Sequence, residues 1–482
     1  MKLQNPIKFF FSKEAEEGYV PNRDLLAHSV ALTGQNMTYG FISGWWFTFC
    51  TDILKISPDT VGWITSLSRL WDAVNDPLIG SLMDKHRFKS GEKLRPYTLY
   101  TPPIIGIISA LMFVAYATNI KLTIAIMMVL YFVWDILYSI QDVALWGMIA
   151  VSSPHSEERA RVAQWVSIGA GAGGIFVGLF PNFLGDNFLN ALNIETKTVY
   201  LFGGIILGLG GELISMLAYK QKERIRTIND KGDSIKEIFR ALGHNKVLLA
   251  ISLARFLQAL SPGLDWIHFF ESSISFDIGS KHIDGGNAQF IFGMLVGVPG
   301  AIAIFFATRF IKKLGGMKKL LIVSQIANIA LRIISFFVGY KSLWQLAIVL
   351  ILMSIGSIPG SMMDIAHRSL TSDSIDYIEW KTGVRNEGIS FSVQNFISKM
   401  QGAVSFLIKG YILKFLSYDA DLKKYNQNPT YMKWQWPIFI LGPVVGSIFY
   451  LMAISFVDDN PERKAMVEAE LKERREKSLQ AI

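Results

Sequence analysis

The sequence predicts an all-α integral membrane protein, with twelve transmembrane helices in two pseudo-symmetric halves of six. Three observations carry that prediction. Of the 482 residues, 51% are hydrophobic and 13% aromatic. The charged residues gather between long apolar runs instead of inside them. The runs number about twelve, each of roughly 20–30 residues, enough to cross a hydrocarbon core about 30 Å thick. They lie near residues 27–50, 58–83, 97–117, 122–150, 162–185, 198–219, 247–273, 287–308, 319–340, 342–367, 388–416 and 436–457. The more polar among them are expected inside a bundle, because a polar group at bilayer depth faces protein or water and not lipid.

A formal net charge of +8 might suggest nucleic acid, but its distribution argues against such a partner. With the termini and even-numbered loops on one side, about 33 of the Lys and Arg residues fall there and about 8 opposite. This is the positive-inside pattern of a multi-pass protein of the cell membrane with both termini cytoplasmic. The acidic and basic start, with Glu14, Glu16 and Glu17, lacks the pattern of a signal peptide. Cys50 is the sole cysteine, which excludes a disulfide framework and a cysteine metal site. No metal triad, nucleophile elbow or phosphate loop stands in a suitable context, so an enzyme is not expected.

The chain divides in the sequence into a cytoplasmic arm (1–26), a first six-helix half (27–219), a charged linker (220–245), a second half (246–457) and a cytoplasmic tail (458–482). Run one carries Gly34, Gln35, Asn36, Gly40 and Gly44, run five the series Gly169-Ala-Gly-Ala-Gly-Gly174. Small residues at such spacing let helices approach closely. Run two leads into a basic turn, and run eight does the same at Arg309-Phe-Ile-Lys-Lys-Leu-Gly-Gly-Met-Lys-Lys319. Repeated six-helix halves are the layout of a major-facilitator transporter, whose cargo site lies at the midplane.

Run two holds the most telling residues. Asp72 and Asp76 are four apart, so on a helix their β-carbons lie about 5–6 Å from each other on one face. Arg69 extends the same stripe. Two carboxylates at bilayer depth need a cationic partner, and in the matching position of the second half stands Val298-Pro299-Gly300. A cation site therefore belongs to the first half. Run four supplies a second polar stripe, Asp135, Tyr138, Ser139, Asp142 and Trp146. In the second half Arg255, Gln258, Asp265, Trp266, His268, Asp364, His367, Arg368, Gln394, Asn395 and Lys399 lie in apolar runs; the two histidines lack partners at metal-ligand spacing and read as structural. Lys399, about three turns into run eleven, needs an acidic partner or a cargo group.

Two motifs resemble a known family. Arg69-Leu-Trp-Asp-Ala-Val-Asn-Asp-Pro-Leu-Ile-Gly80, followed by a loop ending Arg-Pro-Tyr97, and Asp373-Ser-Ile-Asp-Tyr-Ile-Glu-Trp-Lys-Thr-Gly383, followed by Arg385, Glu387-Gly388 and Ser392-Val-Gln394, are similar to the signatures of the glycoside-pentoside-hexuronide:cation symporters. The resemblance implies a Na⁺, Li⁺ or H⁺ site at Asp72, Asp76, Asn75 and Ser139, with no other cofactor. It implies cargo contacts at Asp142, Trp146 and Lys399, to which Asn36, Tyr138, Gln394 and Asn395 are added as cavity candidates. Asn36 and Val166 stand where the family's best-known member has an aspartate and an arginine, which points to a different sugar.

The expectation is cation-coupled symport of a sugar or glycoside (an oligosaccharide, pentoside or hexuronide) by alternating access, with lipid and cargo as partners and no obligatory protein partner. Arg159 and Arg161 are expected to pair with Asp373, Asp376 or Glu379 across the halves and close the cytoplasmic side. The alternatives are a cation-coupled carrier of a non-sugar amphiphile and a non-transporting sensor on the same fold.

Overall fold

Helices fill every apolar run, as they must where lipid offers no partner for backbone N–H and C=O groups. The computed structural model describes residues 18–116, 119–153, 155–224, 245–278, 281–304, 306–382, 387–419, 422, 427–457 and, within 462–473, all but 465, 468 and 472. In the first half α1 is Asn22–Thr48, extended by a π turn over Phe49–Ile53; α2 is Pro58–Lys85, α3 Tyr97–Leu111, α4 Ile120–Ala150 and α5 Ser156–Gly178. The sixth, α6, runs Thr196–Lys220 and includes a π stretch at Gly204–Leu209. In the second half α7 comprises Lys246–Gln258 and Trp266–Ser273, α8 is Gly285–Ile304 and α9 Met317–Val338. Then α10 comprises Leu343–Ser361 and Met363–Thr382, α11 is Glu387–Phe415 and α12 Pro429–Ile454. A short antiparallel hairpin, Phe276–Ile278 with Lys281–Ile283, follows α7.

Several helices overrun their apolar runs. Hydropathy measures the length in hydrocarbon, and a helix continues past it until a cap ends it. Thus α12 starts at Pro429, with the Asn428 side chain accepting from the Tyr431 N–H at 2.9 Å. The break in α7 was not expected. Ser261-Pro262-Gly263 interrupts it because proline offers no N–H to continue the ladder. Irregular backbone at this depth survives only against protein or water. Here Ser261 Oγ donates to the Gly442 carbonyl of α12 at 2.8 Å, and Gly442 itself lies so close that a Cβ would fall 1.9 Å from the Pro262 oxygen.

Among the described residues seven helices are long and apolar enough to cross a membrane, and Tyr97–Leu111 is a shorter apolar one. Their outward faces are apolar too: Ile107, Ile175, Ile206, Phe337 and Ile351 are exposed. Such a surface belongs in lipid.

The chain divides into two compact units, Met1–Gly232 and Asp233–Ile482. In the first, α1 packs on α5 and α6 around a core that includes Leu25, Leu32, Leu145, Val162, Val166 and Ala218. The glycines of run five explain the closeness. A Cβ on Gly169 would meet the Ser29 carbonyl oxygen at 1.9 Å and one on Gly173 the Thr33 oxygen at 2.6 Å, whereas Gly171 and Gly174 face open space. The second unit has its core where Ile251, Ala254, Leu321, Leu370, Tyr450 and Ile454 meet.

This spacing makes a sharp prediction. Gly169→Ala forces α1 and α5 apart and costs about 1–3 kcal/mol, while Gly171→Ala, two residues away, is neutral; thermal unfolding of the two purified variants checks it.

Candidate functional site

The polar cluster of the first unit lies between α2 and α4. Asp72 is 4% exposed and accepts a hydrogen bond of 2.7 Å from Ser139 Oγ. One turn earlier the same two helices are joined again, by Ser68 Oγ donating to Asp135 Oδ2 at 3.0 Å. The Arg69 guanidinium interacts with Tyr131, Tyr39, Asp135 and Asp72, and its Cζ lies 5.6 Å from the Tyr39 ring centre. A fixed cation and two carboxylates thus share one buried cluster, with Asp135 beside Asp72. Asn75 is buried, and its amide Nδ2 has no hydrogen-bond partner among the described residues. Asp76 follows on the same helix, but its side chain lies outside the described ones, as do those of Asp364, Arg368 and Asn395. A carboxylate, an amide and a hydroxyl are hard oxygen donors suited to an alkali cation, and the carboxylate can equally take a proton.

Next along α4 come the expected cargo residues. Tyr138 is stacked between Tyr39, at 5.2 Å between ring centres, and Trp134, at 4.9 Å. Asp142 accepts from Gln35 Nε2 at 2.7 Å, and Gln35 in turn accepts from Asn36 Nδ2 at 3.0 Å. The structure therefore joins Asn36, Gln35 and Asp142 in one chain across α1 and α4. Trp146, one turn beyond Asp142, is 40% exposed. Val166 is fully buried in the apolar core with Leu32 and Leu145.

In the second unit Gln394 is tied to α7. It accepts from Arg255 at 3.2 Å and donates to Ser252 Oγ at 3.2 Å. Lys399 is half-buried on α11. His367 Nε2 and Tyr450 Oη are 2.5 Å apart, so that histidine has a partner in the core, as expected of a structural one.

The arginines of the expected lock have partners within their own unit. Arg161 binds Glu158 at 2.6 Å, the Asn22 side chain at 2.8 Å and the Val20 carbonyl at 2.8 Å, while Arg159 donates to the Ser153 carbonyl at 2.9 Å. Burial pushes the Glu158 carboxyl up, but its bonds to Arg161 and the Val20 N–H outweigh that and hold it below the usual carboxylate range. Asp373 pairs with Lys464 at 2.5 Å; Asp376 and Glu379 are half-buried on α10.

Two polar features escaped the sequence reading. Lys409, 8% exposed, forms an ion pair with Asp265 at the break in α7. Glu212 of α6 is fully buried against Gln141 of α4. Both are ionisable residues inside apolar runs, the signal that singled out Asp72 and Lys399, and the same rule applied evenly finds them.

A match to MFS/sugar transport proteins covers residues 27–458. The chain belongs to that family. It is a multi-pass membrane transporter of the major-facilitator type. It is 26% identical over 400 residues to a lactose permease of Lactobacillus delbrueckii subsp. bulgaricus, covering 79% of this chain and 61% of that longer protein. It is 24% identical to a putative sulfoquinovose importer of Escherichia coli, with 95% of each chain covered, and 24% identical to an isoprimeverose transporter of Lactiplantibacillus pentosus, with 95% and 94% covered. Among solved structures a nucleoside transporter matches at a TM-score of 0.59 and 13% identity, over 90% of this chain and 100% of that one. A D-xylose-proton symporter matches at 0.55 and 14%, over 90% and 95%. These likenesses establish the fold of the family.

The ion pair in the second unit is testable by itself. Asp265→Asn removes the carboxylate from the buried Lys409 ammonium and lowers stability by about 1–3 kcal/mol. Adding Lys409→Met to that variant recovers most of the loss. Chemical unfolding of the single and double variants measures the coupling.

Proposed function

We propose that this transporter couples the inward movement of a sugar or glycoside to a cation, by alternating access across the cell membrane with both termini cytoplasmic. The observation that carries the reading is the bond from Ser139 to Asp72. It ties the carboxylate helix α2 to α4, the helix that also bears Asp142 and Trp146. In this reading Asp72, Asp76, Asn75 and Ser139 hold Na⁺, Li⁺ or H⁺. Occupancy neutralises the carboxylates, sets α2 against α4 and so presents Asp142 to cargo. Hydroxyls of the sugar donate to Asp142, the Trp146 indole stacks on its apolar face, and Asn36, Tyr138, Gln394, Asn395 and Lys399 complete the contacts. Cation and sugar then favour one another, reciprocally, by about 1–3 kcal/mol. During the cycle Arg159 and Arg161 exchange their present partners for Asp373, Asp376 or Glu379.

The relatives support a sugar, since they are named for lactose, raffinose and isoprimeverose. Relatives named as putative sulfoquinovose importers, matched over 95% of this chain, favour one variant of the reading: a sugar bearing an acid group. Lys399 would supply the cation for it, since an ammonium at bilayer depth favours an anion.

The test is thermal stabilisation of the purified protein against neutral and acidic sugars, with and without Na⁺, in wild type and Asp72→Asn. A Na⁺-dependent shift for one sugar class, lost in the variant, is the expected result. A shift independent of Na⁺ but dependent on pH assigns the coupling to protons. No shift with any sugar overturns the sugar reading in favour of a non-sugar cargo.

A further inference from the structure

Glu212 lies where α6 crosses α1 and α4, and it has no role in the cation or cargo sites described above. It is completely buried. Its Oε2 accepts from Gln141 Nε2 at 2.6 Å and from Ser215 Oγ at 3.0 Å, and Gln141 Nε2 also bonds Ser215 Oγ at 2.8 Å. The other carboxyl oxygen, Glu212 Oε1, and the amide oxygen, Gln141 Oε1, are both buried and have no hydrogen-bond partner among the described residues. The Thr38 hydroxyl also interacts with the Glu212 carboxyl, and it lies 3.1 and 3.0 Å from the carbonyls of Leu207 and Gly208.

The surroundings are closed to water. A Cβ on Gly34 would fall 2.2 Å from the Gly211 oxygen, one on Gly211 would fall 2.6 Å from the Gly34 oxygen, and one on Gly106 of α3 would meet the Glu212 side chain. No Lys, Arg or His among the described residues is bonded to Glu212. Among the titratable groups on the neighbouring helices are Tyr138 and Asp142 on α4 and His28 on α1, which is bound to Gln221 and the Leu145 carbonyl; Tyr131 and Asp135 of α4 and Tyr39 of α1 belong to the Arg69 cluster, and Arg23, Asp24, Tyr97, Tyr100 and Lys121 stand toward the helix ends. An ionised carboxylate here would lack a bonded counter-ion and leave two buried acceptor oxygens without a donor. One proton removes both faults. A carboxylic acid and a primary amide are complementary, each donating to the other's oxygen, and a small rotation closes that ring between Glu212 and Gln141.

We propose that Glu212 carries a proton in the folded transporter and acts as a neutral positioning residue that holds Gln141, and with it the face of α4 that bears Asp142. The protonation stands by itself; the effect on cargo rests on the sugar-symport reading.

Infrared spectra of wild type and Glu212→Gln at neutral pH test the first part. The difference spectrum is expected to contain the carbonyl stretch of one protonated carboxyl, lost in the variant. Its absence overturns the proposal. The second part is read from sugar binding. Glu212→Gln, which keeps the amide-pairing geometry, retains wild-type affinity, while Glu212→Leu and Gln141→Leu weaken it about tenfold, as loss of a hydrogen bond to a buried polar group does. Wild-type affinity in the leucine variants overturns the positioning role. If Glu212→Leu does not fold, the glutamine variant and Gln141→Leu still decide both parts. If wild type binds no sugar, the sugar-symport reading fails while the infrared result keeps its meaning.

Discussion

Everything in the first half of this transporter depends on one constraint: a carboxylate inside a bilayer must be answered by hydrogen bonds, a cation or a proton. Asp72 is answered by Ser139 and Arg69, Asp135 by Ser68, Asp142 by Gln35 and Glu212 by Gln141. Apart from Arg69 and Asp72, which both lie on α2, each of these contacts joins two different helices. The polar groups therefore fix the rotation of α4 against α1, α2 and α6, a task that apolar packing alone leaves loose because lipid and leucine are equally apolar. Glycines do the complementary work, bringing α1 close to α5 and α6 so that the polar groups can meet.

The same logic connects structure to coupling. In the proposed mechanism a cation site built from α2 and α4 together would change its affinity whenever those helices shift, and the proposed cargo residues on α4 would feel the shift directly. A cation that binds one arrangement better than another moves the equilibrium by its differential affinity and no more. Arg69 sets one positive charge beside the Asp72 and Asp135 carboxylates. The second unit handles its charges in another way, with Asp265 and Lys409 paired at a helix break.

Much of this was legible in the sequence. Apolar runs placed the long helices, because hydrocarbon thickness imposes a length on the chain, though not the short Asp186–Leu192, and the spacing of Arg69 and Asp72 announced the cluster on α2. The helix ends were less legible: α12 and α10 continue past their apolar runs on caps and polar residues that hydropathy does not score. The break in α7 was written in Ser261-Pro262-Gly263, yet its survival depends on Gly442 of α12, a contact no local pattern reveals. Glu212 and Lys409 were readable by the rule that found Asp72. The direction of the Val166 side chain was not readable from its motif position, and it points into the core.

The central claim is that a cation drives cargo through this protein. The most direct measurement is uptake of a labelled sugar, chosen by binding, into vesicles reconstituted with the purified transporter. An inward Na⁺ or H⁺ gradient is predicted to accumulate the sugar above its external concentration, and Asp72→Asn to abolish accumulation while leaving exchange across the membrane. Equilibration without accumulation under either gradient would contradict the account.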